Sequence, residues 1–282
     1  MLGSGSLAEA EKPKSLLSED VDMKRQMLLV LAWSALHGSV ALAANCTNET
    51  LKGTVVASVS KSTAAGPTSS LFMESWDGAG HVQYLESDSN GTQTNTYYGT
   101  ATYSISPDCV ATVYYDGATA QPFNYYVDAD GEGYFWVNNQ NVGVIAAGHT
   151  DLISKELIVN PTATTPGPCS LATLKGTMAY EVEKTLQGLP RASDGMESYD
   201  GAGHLNYRET DTDGYTTTSY PGTGTYTITD RCVASVYYDG STTPFVFFVA
   251  PNGSAYWWIN NQNSGIVAAG KALRVSRELV VK

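Results

Sequence analysis

Residues 74–84 read ESWDGAGHVQY, and residues 197–207 read ESYDGAGHLNY. On both sides of D-G-A-G, apolar and polar residues alternate with the two-residue period of a strand. Asp opens a turn by accepting backbone hydrogen bonds, and Gly supplies positive φ without steric cost. The stretch therefore reads as strand, tight turn, strand. Asp77, Gly78 and Gly80 are the turn residues of the first copy, and Asp200, Gly201 and Gly203 those of the second. The recurrence says that this hairpin belongs to a unit the chain carries twice.

The duplication extends outward from the hairpin. Met73–Gly117 aligns with Met196–Gly240 without a gap. After a one-residue deletion near Pro122/Pro244, YFWVNNQNVGVIAAG (134–148) meets YWWINNQNSGIVAAG (256–270). The last match is SKELIV (154–159) with SRELVV (276–281). The expected organisation is one repeat over 44–159 and a second over 169–282. Between them NPTATTPGP (160–168) reads as a short, stiff linker. Residues 1–43 fall outside the repeats, as an upstream extension plus a signal peptide at about 23–43. Met23-Lys24-Arg25 opens a basic region, MLLVLAWSAL (27–36) is apolar, and ALA (41–43) is a cleavage site. A membrane anchor needs about 20 apolar residues, and His37, Gly38 and Ser39 interrupt this run. The expected location is periplasmic or extracellular, with no membrane span after cleavage.

Export permits disulfides. Each repeat holds two cysteines at the same spacing, and neither pair has the spacing of a metal site. Four cysteines allow three connectivities; the duplication favours Cys46–Cys109 and Cys169–Cys232. The chain has 16 Lys+Arg against 28 Asp+Glu, a net charge of −12, and no basic run. Nucleic acid binding needs phosphate-neutralising Lys and Arg, so neither nucleic acid nor an anionic membrane surface is expected as a partner.

Thr, Tyr, Val and Gly dominate the repeats, and no convincing helix is present. Eight strand-like runs lie near 51–60, 69–76, 81–88, 95–106, 109–115, 122–128, 133–139 and 142–151, separated by turn signals. Every connection is short enough for a hairpin. The fold expected is all-β, with two tandem eight-stranded antiparallel up-and-down barrels and one disulfide each; a β-sandwich is the competing architecture. CSLATLKGT (169–177), DGAGH and GTGTYTITDRC (222–232), followed by a final apolar hairpin, resemble small exported bacterial domains of unassigned function. That resemblance implies an allene-oxide-cyclase-like barrel of the wider calycin-like group. The turn in that group ends in Asn where His81 and His204 stand here. The lipocalin G-x-W is absent; Gly53-Thr54-Val55 occupies its place.

The candidate ligand-binding residues are the retained aromatics and amides: Trp76, Tyr115, Tyr134, Trp136 and Asn138 in repeat 1, and Tyr199, Tyr238, Tyr256, Trp258 and Asn260 in repeat 2. Rings beside hydroxyls and amides are typical of small-molecule pockets, and also of filled barrels. The candidate acid–base residues are Glu74, Tyr103 and His81, with Glu197, Tyr226 and His204. A buried Glu gains a raised pKa, and a rim His titrates near neutrality. ESDSNG (86–91) and ETDTDG (209–214) are similar to the start of a calcium loop, but Tyr97 and Tyr220 stand where its closing Glu belongs. No metal or cofactor is expected. The expected function is binding of a small hydrophobic or aromatic molecule. The alternatives are a cyclase or isomerase acting in the cavity, and a carbohydrate- or surface-binding module using Trp136, Trp258 and the NNQN amides. Barrel–barrel packing and a homodimer are both open.

Overall fold

Each repeat curls into a barrel because short hairpins link strands whose neighbours are consecutive in sequence. The structure, a computed structural model, describes residues 45–138, 143–160, 166–262 and 265–282. The expected signal peptide, most of the linker and part of both NNQN segments lie outside the described residues. Barrel 1 runs β1 (Lys52–Thr63), β2 (Gly66–Asp77), β3 (His81–Ser89), β4 (Thr94–Ile105), β5 (Val110–Tyr115), β6 (Phe123–Val127) and β7 (Tyr134–Val137). The eighth position is split into β8 (Val144–Ile145), β9 (Ala147–His149) and β10 (Asp151–Ser154). β9 pairs with β7, whereas β8 and β10 pair with β1, so this barrel is nearly closed. That corrects the single final strand expected over 142–151. Barrel 2 is fully closed: β11 (Lys175–Leu186), β12 (Leu189–Asp200), β13 (His204–Thr212), β14 (Thr217–Ile228), β15 (Val233–Tyr238), β16 (Phe245–Val249), β17 (Ala255–Ile259) and β18 (Ile266–Ser276). Disulfides join Cys46 to Cys109 and Cys169 to Cys232, one per barrel. Such bonds persist in oxidising compartments. Among the described residues no helix is long and apolar enough to cross a membrane.

One end of each barrel is plugged. In barrel 1 a 3-10 turn, Asn48–Thr50, precedes the fully buried Leu51. Asn48 Oδ1 accepts the Ile105 N–H at 2.8 Å, and the Tyr103 hydroxyl donates to the Asn48 carbonyl at 3.1 Å. In barrel 2 the Leu171–Leu174 turn does the same, with the Tyr226 hydroxyl donating to the Leu171 carbonyl at 3.0 Å. Cys46 and Cys109 tie the plug to the start of β5. The D-G-A-G turns lie at this plugged end: Gly78 sits against Glu49, and Gly80 against the Asn48 side chain.

The barrels pack side by side through outer faces. Val56, Leu71, Met73 and Leu85, on β1 to β3, share one buried cluster with Phe248, Trp257 and Ile259 on β16 and β17. Asp151 anchors the edge, accepting from Trp257 Nε1 at 3.2 Å and from Lys271 Nζ at 2.9 Å. Ile158 and Val159, which follow barrel 1, are buried in the same cluster.

Candidate functional site

Alternation along β2 sends Phe72, Glu74 and Trp76 to the interior of barrel 1. Below Glu74, toward the plug, the interior is solid: Trp76 is fully buried and meets Tyr103 edge-on at 4.6 Å. Above Glu74 it is hollow. A cavity of about 470 Å³ opens there, walled by Phe72, Tyr84, Tyr115, Phe123, Tyr125 and Trp136, with Glu74 on its floor. Barrel 2 has the same plan with a cavity of only about 200 Å³ over Glu197.

The floor carboxyl is held by neutral donors. Glu74 Oε1 accepts from the Tyr115 hydroxyl at 2.6 Å, and Oε2 accepts from Tyr134 at 2.5 Å and from Trp76 Nε1 at 3.1 Å. Glu197 accepts from the hydroxyls of Tyr199, Tyr238 and Tyr256. Removal from water disfavours the charged form. Burial therefore raises the pKa of both carboxyls, and the hydrogen bonds only partly offset it. Tyr125 stacks on Tyr134 with centroids 4.5 Å apart, and Phe247 stacks on Tyr256 at the same distance.

Trp136 lies flat against the wall because Gly148, its partner on β9, has no side chain; a Cβ there would sit 3.1 Å from the indole. Gly270 makes the same space for Trp258. Trp136 Nε1 is buried and has no hydrogen-bond partner among the described residues. Asn138 lines the first cavity and Asn260 the second. Both indoles thus face inward, toward the cavities.

The mouth is acidic. Lys61 Nζ reaches Asp88 at 3.1 Å and Glu86 at 3.5 Å. Asp88 also accepts from Tyr97 and Ser70. Burial, then the neighbouring Asp88, pushes the Glu86 carboxyl up to about 7 against the pull of Lys61. In barrel 2, Lys184 reaches Asp211 at 2.7 Å and Glu209 at 3.3 Å. Burial opposes ionisation of Asp211, but bonds from Lys184, Ser193 and Tyr220 outweigh it and hold the pKa at about 2.

The expected acid–base sets are not brought together. His81 is exposed at the plugged end, away from Glu74, and its Nδ1 lies 2.9 Å from Asp77 Oδ2. His204 repeats this with Asp200 at 3.1 Å. The Tyr103 and Tyr226 hydroxyls serve the plugs, not Glu74 and Glu197. Trp76 and Tyr199 brace the floor carboxyls from below and do not line the cavities. Tyr115, Tyr134, Trp136, Tyr238, Tyr256 and Trp258 do line them. The calcium-like stretches hold no such loop: Glu86 and Asp88 pair with Lys61, and Asn90 caps the β3–β4 turn by accepting from Thr92 and Gln93. No group of three or more His, Cys, Asp or Glu among the described residues is placed to hold a metal.

Sequence reasoning missed Phe72, Phe123 and the Lys61–Glu86–Asp88 mouth. Two signals were present. Phe72 and Glu74 are two apart on one strand, and Lys61 aligns with Lys184. One exchange between repeats was also visible. Ala57 faces Phe72 across β1–β2, whereas Tyr180 faces Gly195 across β11–β12. Tyr180 reaches over Gly195 and hydrogen-bonds Glu209 across the smaller cavity.

The chain matches no protein-family model and no curated protein. Among solved structures it is similar to a crystal structure of a protein of unknown function from the DUF3598 family of Nostoc punctiforme, at 12% identity and a TM-score of 0.25, over 82% of this chain and 99% of that chain.

Proposed function

We propose that barrel 1 binds a small molecule with an aromatic or apolar body, and that barrel 2 is its structural partner. One observation carries this: the cavity of about 470 Å³, floored by Glu74 and walled by aromatic rings. Small-molecule pockets occupy roughly 300–1,000 Å³, apolar with a few placed polar groups. The 200 Å³ of barrel 2 falls below that range. The buried Glu74, with Tyr115 and Tyr134 in contact, also supports a second reading, an isomerase or cyclase that uses this carboxyl as an acid. Kinship with the allene-oxide-cyclase-like barrels belongs to the same proposal. So does export: the signal-like stretch at 23–43 and one disulfide per barrel both favour an extracytoplasmic protein.

Native mass spectrometry of the protein purified from its own host tests the binding reading. The expected result is a retained small molecule that is lost when Trp136 is replaced by Ala. A bare mass, together with no binding of apolar aromatic probes, would sink it. An altered product on incubation with the released molecule would favour the enzyme reading.

A further inference from the structure

The charges around the barrel 1 cavity do not balance. Glu74, Glu86 and Asp88 line it, and Lys61 is the only cationic side chain among the described lining residues. Lys61 is engaged at the mouth by Glu86 and Asp88. Glu74 touches no cation among the described residues; its three partners are all neutral donors. An ionised carboxylate offers about four acceptor positions, so one remains on Oε1, beside Tyr115. A buried carboxylate without a counter-ion is costly. The same region is walled by ring faces, which attract cations through their quadrupoles. Carboxylate below and rings around are complementary to a positive charge attached to an apolar body. A hard metal ion is a poor match, because it wants six or more oxygens and most of Glu74 is already occupied.

Barrel 2 shows the contrast. Its equivalent of Glu86, Glu209, is answered by Lys184 and also by the Tyr180 hydroxyl. In barrel 1 the matching ring is Phe72, which has no hydroxyl and leaves Glu86 to Lys61 alone. The first barrel is thus both roomier and less neutralised.

Resting on the binding reading above, we propose that this cavity takes a small organic ammonium ion, its charged end on Glu74 and its body against Trp136, Phe123 and Tyr125. The raised pKa of Glu86 supports this: burial and the neighbouring Asp88 push it up further than Lys61 pulls it down. Binding then expels a proton from the cavity.

Isothermal titration calorimetry of the full chain with three probes of one scaffold decides the matter: 2-phenylethylamine, 2-phenylethanol and phenylacetate. The amine is expected to bind at least about tenfold more tightly than the alcohol, with phenylacetate weakest. Glu74→Gln should abolish the preference of amine over alcohol; Glu86→Gln should reduce it. If Glu74→Gln fails to fold, the wild-type protein still reports. Comparing buffers of different ionisation enthalpy, the amine should release more protons at about pH 6 than at about pH 8.5. The titrating groups are Glu74, faced by Tyr115, Tyr125, Tyr134 and Glu86, and Glu86, faced by Asp88, Lys61, Tyr97 and Glu74. Equal affinity for amine and alcohol, or tightest binding of phenylacetate, overturns the ammonium proposal and leaves the cavity reading standing. No binding by any probe overturns both.

Discussion

Three acids of repeat 1, Asp77, Glu74 and Glu86, show how environment divides labour between carboxyl groups. Asp77 sits in the turn and accepts from the N–H groups of Ala79 at 2.7 Å and His81 at 2.9 Å. Slight burial opposes ionisation, but these bonds and the His81 ring outweigh it and lower the pKa. Replacing Asp77 by Ala should cost about 1–3 kcal/mol by urea denaturation, because two turn donors lose their acceptor. His81→Asn should stay within about 0.5 kcal/mol, since the ring is largely exposed. A loss as large as that of the Asp variant would give the ring a role the turn does not need. Glu74 and Glu86 are shifted the other way. A carboxyl whose pKa rises on folding binds more protons folded than unfolded, so its contribution is favourable at low pH. That contribution is lost as pH climbs from the ordinary carboxylate value through the folded one. For Glu86 the window runs from 4.5 to about 7. Denaturation midpoints should therefore fall across that window, and Glu86→Gln should flatten the fall; an unchanged slope would place the titration elsewhere. The turn role of Asp77 was legible, because Asp and Gly at these spacings have a local cause. The floor role of Glu74 was only half legible. Its burial followed from alternation, but the identity of its partners depends on Tyr115 and Tyr134, which lie on strands that only the closed barrel brings near.

At the level of elements, seven of the strands in repeat 1 follow from the sequence because each is bounded by its own turn chemistry. The eighth did not. VGVIAAGHTDLIS and SGIVAAGKALRVS look alike, yet the first is β8, β9 and β10 and the second is one strand. The difference sits at His149-Thr150-Asp151 against Lys271-Ala272-Leu273. The fully buried Thr150 hydroxyl accepts the Tyr134 N–H at 3.0 Å, a side-chain oxygen standing in for a ladder carbonyl, while the Thr150 N–H still donates to the Tyr134 carbonyl. Asp151 is taken up by Trp257 and Lys271 of barrel 2. Tertiary partners, not local propensity, break the strand. The plug is the other element whose importance grows with the structure. Its tie to β5, the Cys46–Cys109 bond, closes a loop with a sequence separation of 63. Replacing both cysteines by Ala should lower stability by roughly 3–4 kcal/mol on the chain-entropy model. Proteolysis should then cut first near Asn48, because the plug loses its covalent hold while β1 to β7 keep their ladders. First cleavage within the strands instead would mean that the plug holds without the bond.

Across the whole molecule, duplication supplies every surface twice, so the packing of the barrels poses a question of its own. Barrel 2 offers Phe248, Trp257 and Ile259 to the Val56, Leu71, Met73 and Leu85 face of barrel 1. The copies of both faces remain outside. Tyr126, Phe135 and Val137 correspond to the first set, and are 64%, 54% and 52% exposed. Ala179, Asp194, Met196 and Arg208 correspond to the second. A head-to-tail contact of this kind is not self-complementary, and identical chains bearing both faces would grow into rings or fibres. Asp194 and Arg208 stand where barrel 1 has Leu71 and Leu85, and burying charges at these positions would oppose such growth. Restoring the apolar pair tests the idea. Asp194→Leu combined with Arg208→Leu should make the chain associate with increasing concentration in sedimentation velocity. Phe135→Asp added to that variant should return it to the wild-type behaviour, because the aromatic face is the one the new apolar face would meet. Association that survives Phe135→Asp would show general stickiness instead of a repeated barrel contact, and no association at all would mean that the charges do not guard this face.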